Sequence, residues 1–255
     1  MTKISEKSRS LLIASPVDDD TDFIPLITDE DEDSLLTADV PDSLPILPLR
    51  NTVLFPGVII PISVGRNKSM KLIRDMYKKS KIIGTVSQID PGNDSPGFNE
   101  LYKVGTVAQI IRILEMPDGT TSVIIQGKRR IYLEEQISDE PYLIAKVSQL
   151  TDTKPKKKDP EFEAIVGSLK DLSLRIIKLS TNIPPEASFA VKNIESSTFL
   201  INFISSNSDI RLNDKQSLLE KDDLKKRGIA LLEYLVREVQ MLELKNDIQS
   251  KVRFD

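Results

Sequence analysis

Residues 44–64 read LPILPLRNTVLFPGVIIPISV. The run is apolar enough to be buried, yet Pro45, Pro48, Pro56 and Pro61 interrupt it. Proline brings no N–H and fixes φ, so it belongs at strand edges, strand starts and bulges. The run therefore divides into LPILPLR, NTVLF and GVIIPISV, with turns at Arg50–Asn51 and Pro56–Gly57. Short, bent strands of this kind suit a small, partly closed β-barrel that has to turn corners.

The residues that follow keep the β reading and add one helix. VGRNKSMKLIRDMYKKS (64–80) has helical spacing, with Asn67 as N-cap and Met70, Ile73, Met76 and Tyr77 on one face. Lys78, Lys79 and Lys81 stand at its end, where cations suit the helix dipole. Strands are expected at 81–89, 101–115, 121–135 and 142–150, with a loop at 91–97 and a tight turn at 117–120. KPKKKDP (154–160) then reads as a solvated linker, since no aromatic residue interleaves its lysines to stack on bases. Residues 161–255 read as a helical bundle. Within it 161–180 is amphipathic, 197–206 is short and apolar, and Asp222 or Asp223 caps a long last helix. That helix carries two stripes, Leu232, Leu235, Val239, Leu242 and Met241, Leu244, Ile248, Val252, both read as bundle packing. The final KVRFD has no stop signal, so the helix is expected to continue in a longer chain. The fold class expected is α+β.

Residues 1–43 read as an acidic tail. Asp18, Asp19, Asp20, Asp22 and Asp29–Asp33 form a block with the composition of a disordered extension. The 255 residues contain no cysteine and no histidine. Thiolate and imidazole metal sites and Cys–His or Ser–His–Asp machinery are thereby excluded. With no disulfide and no convincing signal peptide, a cytoplasmic location is expected. The net charge of -4 gives no global case for nucleic acid.

Chemistry-bearing motifs are correspondingly thin. GKR (127–129) lacks the earlier glycine and the Ser/Thr of a phosphate loop, and reads as a hairpin glycine with solvated charges. Glu134 and Glu135 are strand neighbours, so they are expected on opposite faces and not as an acid–base pair. No catalytic, cofactor-binding or metal-ligating residue is assigned.

At this point the residues resemble a known family. The LPLR, N, VLFPG, PI and VGR pieces of 44–66 stand in the order and spacing of the N-terminal domain of Lon, the ATP-dependent protease family. IIGTVSQID, YKVGTVAQIIRI and VIIQGKRRIYL are similar to its following strands, and LLEKDDLKKRGIALLEYLVREVQMLELKNDIQSKV to the long helix leading to its ATPase module. The resemblance implies a PUA-like β-barrel followed by a helical bundle. It implies a non-catalytic segment that recognises unfolded, damaged or tagged proteins and supports assembly of a hexamer. ATP, magnesium and a Ser–Lys dyad would belong to other parts of the parent protein. The acidic extension has no counterpart in this resemblance.

A receptor for unfolded chains needs adaptable apolar surface. The candidate contacts are Leu54, Phe55 and Pro56 beside the Pro-Gly turn, and Met116 and Pro117 at a hairpin tip. The alternative is that Leu54 and Phe55 are core and the rest are turn residues. The expected partners are unfolded or degron-bearing proteins and further copies of the chain, including a dimer through the long helix. Two other classes remain: a stand-alone adaptor built on the same β domain, and a PUA-like RNA-binding module. A gene ending at this helix would favour the adaptor, and salt-sensitive RNA binding the last.

Overall fold

The computed structural model describes residues 40–116, 120–156 and 158–252, with the backbone of two short paired strands, β1 (Leu11–Leu12) and β2 (Phe23–Ile24). The rest of the acidic tail lies outside the described residues. Six strands form the sheet: β3 (Ser43–Leu49), β4 (Ile59–Val64), β5 (Ile82–Ser87), β6 (Val104–Glu115), β7 (Thr121–Ser138) and β8 (Ile144–Gln149). Six helices are described: α1 (Asn67–Tyr77), α2 (Pro160–Leu179), α3 (Ala187–Asn193), α4 (Ser197–Asn207), α5 (Leu212–Glu220) and α6 (Leu224–Val252). The chain is thus α+β, with α1 inserted among the strands and the other helices after them.

The sheet order is β4-β7-β6-β5-β3-β8, and β8 also pairs with β7. The long β7 makes this doubling back feasible. It pairs with β4 over Thr121–Gln126 and with β8 over Ile131–Ser138. Beyond Leu133 and beyond Gln136 the β7–β8 register shifts, which bends the strands. Glu134 and Glu135 straddle the first shift and are both exposed. Glu134 accepts from Ser148 and Glu135 faces Lys146, so the two form no acid–base pair.

The prolines fall where the backbone tolerates them. β3 pairs in parallel with β5 from Ile46 to Leu49 and with β8 only from Ser43 to Pro45. Ile46 N–H donates to Leu143 and the Leu49 carbonyl accepts from Gln88, so by alternation the missing N–H of Pro48 faces away from β5. β4 is an edge strand. The Val58 carbonyl accepts from Gly127, so alternation turns the missing N–H of Pro61 to the open edge. Pro56-Gly57 forms a turn closed by Val58 N–H on the Phe55 carbonyl, with Gly57 at φ 82. Asn51, at φ 55, turns the chain between the two segments.

Helix α1 starts later than its periodicity suggests. Val64 ends β4, Arg66 occupies the cap position, and Asn67 is already helical. Leu72 and Ile73 are buried, with Met70, Met76 and Tyr77 packed around them over one sheet face. In the linker, Asp159 caps α2 by accepting from the amides of Glu161 and Phe162. These bonds, led by that from Phe162, and the Lys225 ammonium hold its carboxyl below the usual range. Thr153 bridges Asp223 at the start of α6. The segment read as a solvated hinge is tied down at both ends.

Gly127 is a close-approach residue inside β7, not the hairpin glycine expected. A Cβ there would stand 2.3 Å from the Phe55 carbonyl oxygen. Gly127→Ala should destabilise the protein by roughly 1–3 kcal/mol, because backbone has to move. Urea unfolding by far-UV circular dichroism measures this.

Candidate functional site

The VLFPG segment joins the sheet to the helices. Leu54 packs into the core between α1 and the sheet, whereas Phe55 packs with Val53 and Val58 into the core of the helical portion. Both are buried, so the surface role expected for them is corrected: each offers its area to the protein's own interior. Pro56 is half-buried, and its carbonyl accepts from Asn202 Nδ2 on α4 at 3.2 Å. Met116 is half-buried at the β6–β7 turn, where its N–H donates to Thr120. Pro117 lies outside the described residues. The four described candidates do not form one surface.

Through Asn202, Pro56 borders a buried polar seam. Arg130 of β7, 2% exposed, and Arg227 of α6, 0% exposed, converge on Oδ1 of Asp152 at 2.5 and 2.7 Å. Arg130 also reaches Asp222 at 2.9 Å and the Leu219 carbonyl at 3.0 Å. Arg227 donates to Asn202 Oδ1 and the Lys221 carbonyl. Burial pulls the Arg227 pKa down and Asp152 opposes it, so the carboxylate is what keeps a buried cation tolerable. Gln216, also buried, donates to the Val104 carbonyl at 2.9 Å. Sequence reasoning missed these residues because their partners are far apart in the chain. The only local hint was the fourth residue of GKRR, which looks like one more solvated charge.

Among the described residues, cavities open both beside the sheet and among the helices. One of about 660 Å³ lies between residues 47–52 at the end of β3 and residues 61–66 at the end of β4. A neighbour of about 520 Å³ shares Pro48, Gly65, Arg66, Ser69 and Asp94 with it. Arg66 is held by Gln88 Oε1 at 2.6 Å and the Asn93 carbonyl at 3.2 Å, both neutral. Burial and the nearby Arg50 cation lower its pKa. Arg50 pairs with Asp94 at the surface. A third cavity, about 280 Å³, lies among α2, α3, α4 and α6. Glu238 lines it, and burial pushes its pKa up.

The long helix divides as its stripes suggest, with one correction. Leu231, Leu235 and Val239 are buried, and Leu232 and Leu242 pack at the margin. Gly228 lets α2 come close, since a Cβ would stand 2.9 Å from Ile165. The second stripe is not bundle packing: Met241, Leu244 and Ile248 are 66%, 55% and 53% exposed. Met241 and Leu244 lie on a face turned away from α2, which still runs alongside at the Arg175–Glu243 pair, and Ile248 lies beyond Leu179, where α2 ends opposite Asn246. The Val252 side chain is outside the described residues. No group of three or more carboxylates stands in metal-binding proximity among the described residues.

The model of the ATP-dependent protease La (LON) substrate-binding domain family matches residues 43–237. The Lon protease of Flavobacterium johnsoniae is 54% identical over 238 residues, covering 93% of this chain and 29% of that protein. That of Cytophaga hutchinsonii is 47% identical over 234 residues, covering 92% and 29%. The chain therefore spans about 29% of the length of these curated relatives. The N-terminal domain of Mycobacterium avium complex Lon protease superposes with a TM-score of 0.63 at 20% identity, over 76% of this chain and 98% of that one. This last likeness concerns the fold alone.

Two outcomes follow from the site. Asp152→Asn leaves Arg227 with no carboxylate in contact among the described residues and Arg130 with the largely exposed Asp222, and should cost about 3–5 kcal/mol in urea unfolding. Glu238 holds its proton more tightly in the native than in the unfolded chain. Stability is therefore lost as pH rises above the ordinary glutamate value of 4.5 and through the raised native pKa. Glu238→Gln should raise the melting temperature at pH 7, with no gain at pH 3. An equal gain at both would contradict the assignment.

Proposed function

The chain belongs to the ATP-dependent protease La (LON) substrate-binding domain family, and on that premise we propose that it is the substrate-recognising segment of a longer ATP-dependent protease. The family match over residues 43–237 carries this reading. In it the chain cuts nothing and binds no nucleotide. ATP, magnesium and a Ser–Lys dyad belong to the remaining length of the parent, and the whole works as a cytoplasmic homohexamer. The strand pairings running from β7 through β6, β5, β3 and β8 back to β7 support a PUA-like barrel as the sheet's form. The division into tail (1–43), β domain (44–153), linker (154–160) and helical bundle (161–255) is part of the same reading.

The physics of recognition is adhesion without sequence reading. Unfolded proteins share exposed apolar side chains, and methionine-rich surfaces adapt to many of them. Met241, Leu244 and Ile248 supply such a surface, with half-buried Met116 as a second point. Each contact is weak, and several copies in one assembly would raise the effective concentration.

Fluorescence anisotropy of a labelled, permanently unfolded protein tests this. The chain should bind it and ignore the same protein when folded. Met241→Ser/Leu244→Ser/Ile248→Ser should weaken binding with little change in melting temperature, because these side chains are exposed. No binding by the wild-type chain would overturn the recognition role. Unchanged affinity in this variant and in Met116→Ser would remove both surfaces from it.

A further inference from the structure

The cavity between β3 and β4 is where a strand is missing. On β7, the edge away from β6 is covered by β4 over Thr121–Gln126 and by β8 over Ile131–Ser138. On β3, the edge away from β5 is covered by β8 only as far as Pro45, with Ile46 bonded to Leu143 just beyond. From there onward β3 faces β4 without pairing to it, and both line the same 660 Å³ space. That volume is within the roughly 300–1,000 Å³ of small-ligand clefts.

Two features of the walls restrict what fits. Pro48 and Pro61 sit at the middle of the two open edges, and each offers a carbonyl with no N–H. The two edges are thereby kept from pairing with each other, and mid-slot they accept hydrogen bonds without giving any. An occupant has to bring donors. The second feature is charge. Arg66 is half-buried with only neutral acceptors, and among the described residues it has no carboxylate in ion-pair contact. Arg50 lines the same cavity in an exposed pair with Asp94, whose charge also reaches Arg66, and such exposed pairs are weak. Apolar Leu47, Leu49 and Ile62 line the space as well.

We propose that this slot binds the last residues of an extended polypeptide, whose N–H groups donate to the Pro48 and Pro61 carbonyls and whose C-terminal carboxylate sits on Arg66 with Arg50. This rests on the recognition role proposed above and specifies one substrate class for it. An extended peptide is the occupant that combines regularly spaced donors with a terminal anion. Strand addition of this kind draws affinity from main-chain hydrogen bonds and selectivity from pockets and end groups. With Arg66 Nη2 donating to Gln88 and Asn93, Nη1 is the group that would donate to the carboxylate in a charge-assisted hydrogen bond.

The test is anisotropy of a labelled apolar hexapeptide with the 255-residue chain, with the peptide as the free acid and as the C-terminal amide. The acid should bind roughly tenfold or more tightly, as expected for losing a charge-assisted bond. Arg66→Gln should abolish that difference, and Arg66→Lys should restore part of it. N-methylation of the peptide's last amides should weaken binding with the carboxylate intact. Should Arg66→Gln fail to fold, the acid–amide comparison and Arg50→Gln on folded protein still decide. Equal binding of acid and amide overturns the proposal. So does displacement of the peptide by inorganic phosphate at concentrations where acetate has no effect, which marks a phosphate site. If the unfolded-protein assay succeeds while acid and amide bind alike, this inference fails and the recognition role stands. If the unfolded-protein assay fails too, both fall.

Discussion

Two arginines far apart in the chain, Arg130 and Arg227, are buried against one carboxylate oxygen, and the rest of the architecture is arranged around that fact. Arg130 comes from the middle of β7, Arg227 from the first turns of α6, and Asp152 from the segment between sheet and helices. Bringing like charges together out of water is costly unless geometry and hydrogen bonds compensate closely. The Leu219 and Lys221 carbonyls, Asn202 and Asp222 provide that compensation. All come from the helical portion, so these contacts form in one relative placement of helices and sheet. The Asn202–Pro56 and Gln216–Val104 bonds lie on the same seam. The apolar core behind it mixes Val53, Phe55, Val58 and Val104 of the β portion with helical leucines and isoleucines.

This arrangement explains what was legible in the sequence. Strands and helices were, because alternation and helical spacing are local properties. The proline-cut run 44–64 announced its turns at Asn51 and Pro56-Gly57, and both are there. The destination of each side chain was not legible. Leu54 and Phe55 are adjacent and apolar, and nothing local says that one enters the α1 core and the other the helical core. Nor does GKRR say that its last arginine is buried while its glycine touches the Phe55 backbone. On α6, periodicity found two stripes but could not tell the covered one from the bare one. That distinction depends on which side of α6 the α2 helix packs against, and beyond Asn246 on α2 ending at Leu179.

With the frame fixed, surfaces left unpaired have fixed positions. The outer stripe of α6 is a continuous apolar strip on a rigid helix. The slot between β3 and β4 is an incomplete edge beside Arg66, whose side chain is held by neutral acceptors, with Asp94 nearby but not in ion-pair contact with it. The first suits adhesion to any exposed apolar chain, the second an end group in extended form. Placing both on one body would let a single unfolded polypeptide engage them together, adding modest contacts into useful avidity.

The account therefore depends on sheet and helices opening as one unit. Native-state hydrogen exchange measures this, through the amides of Val107 and Ala108 in β6 and Leu231 and Leu235 in α6. If the seam welds the two portions, all four exchange through a single global opening with the same free energy. If the α6 amides exchange through an opening well below that of the sheet, the helices are an independently unfolding appendage, and the claim that the arginine cluster holds the architecture together is wrong.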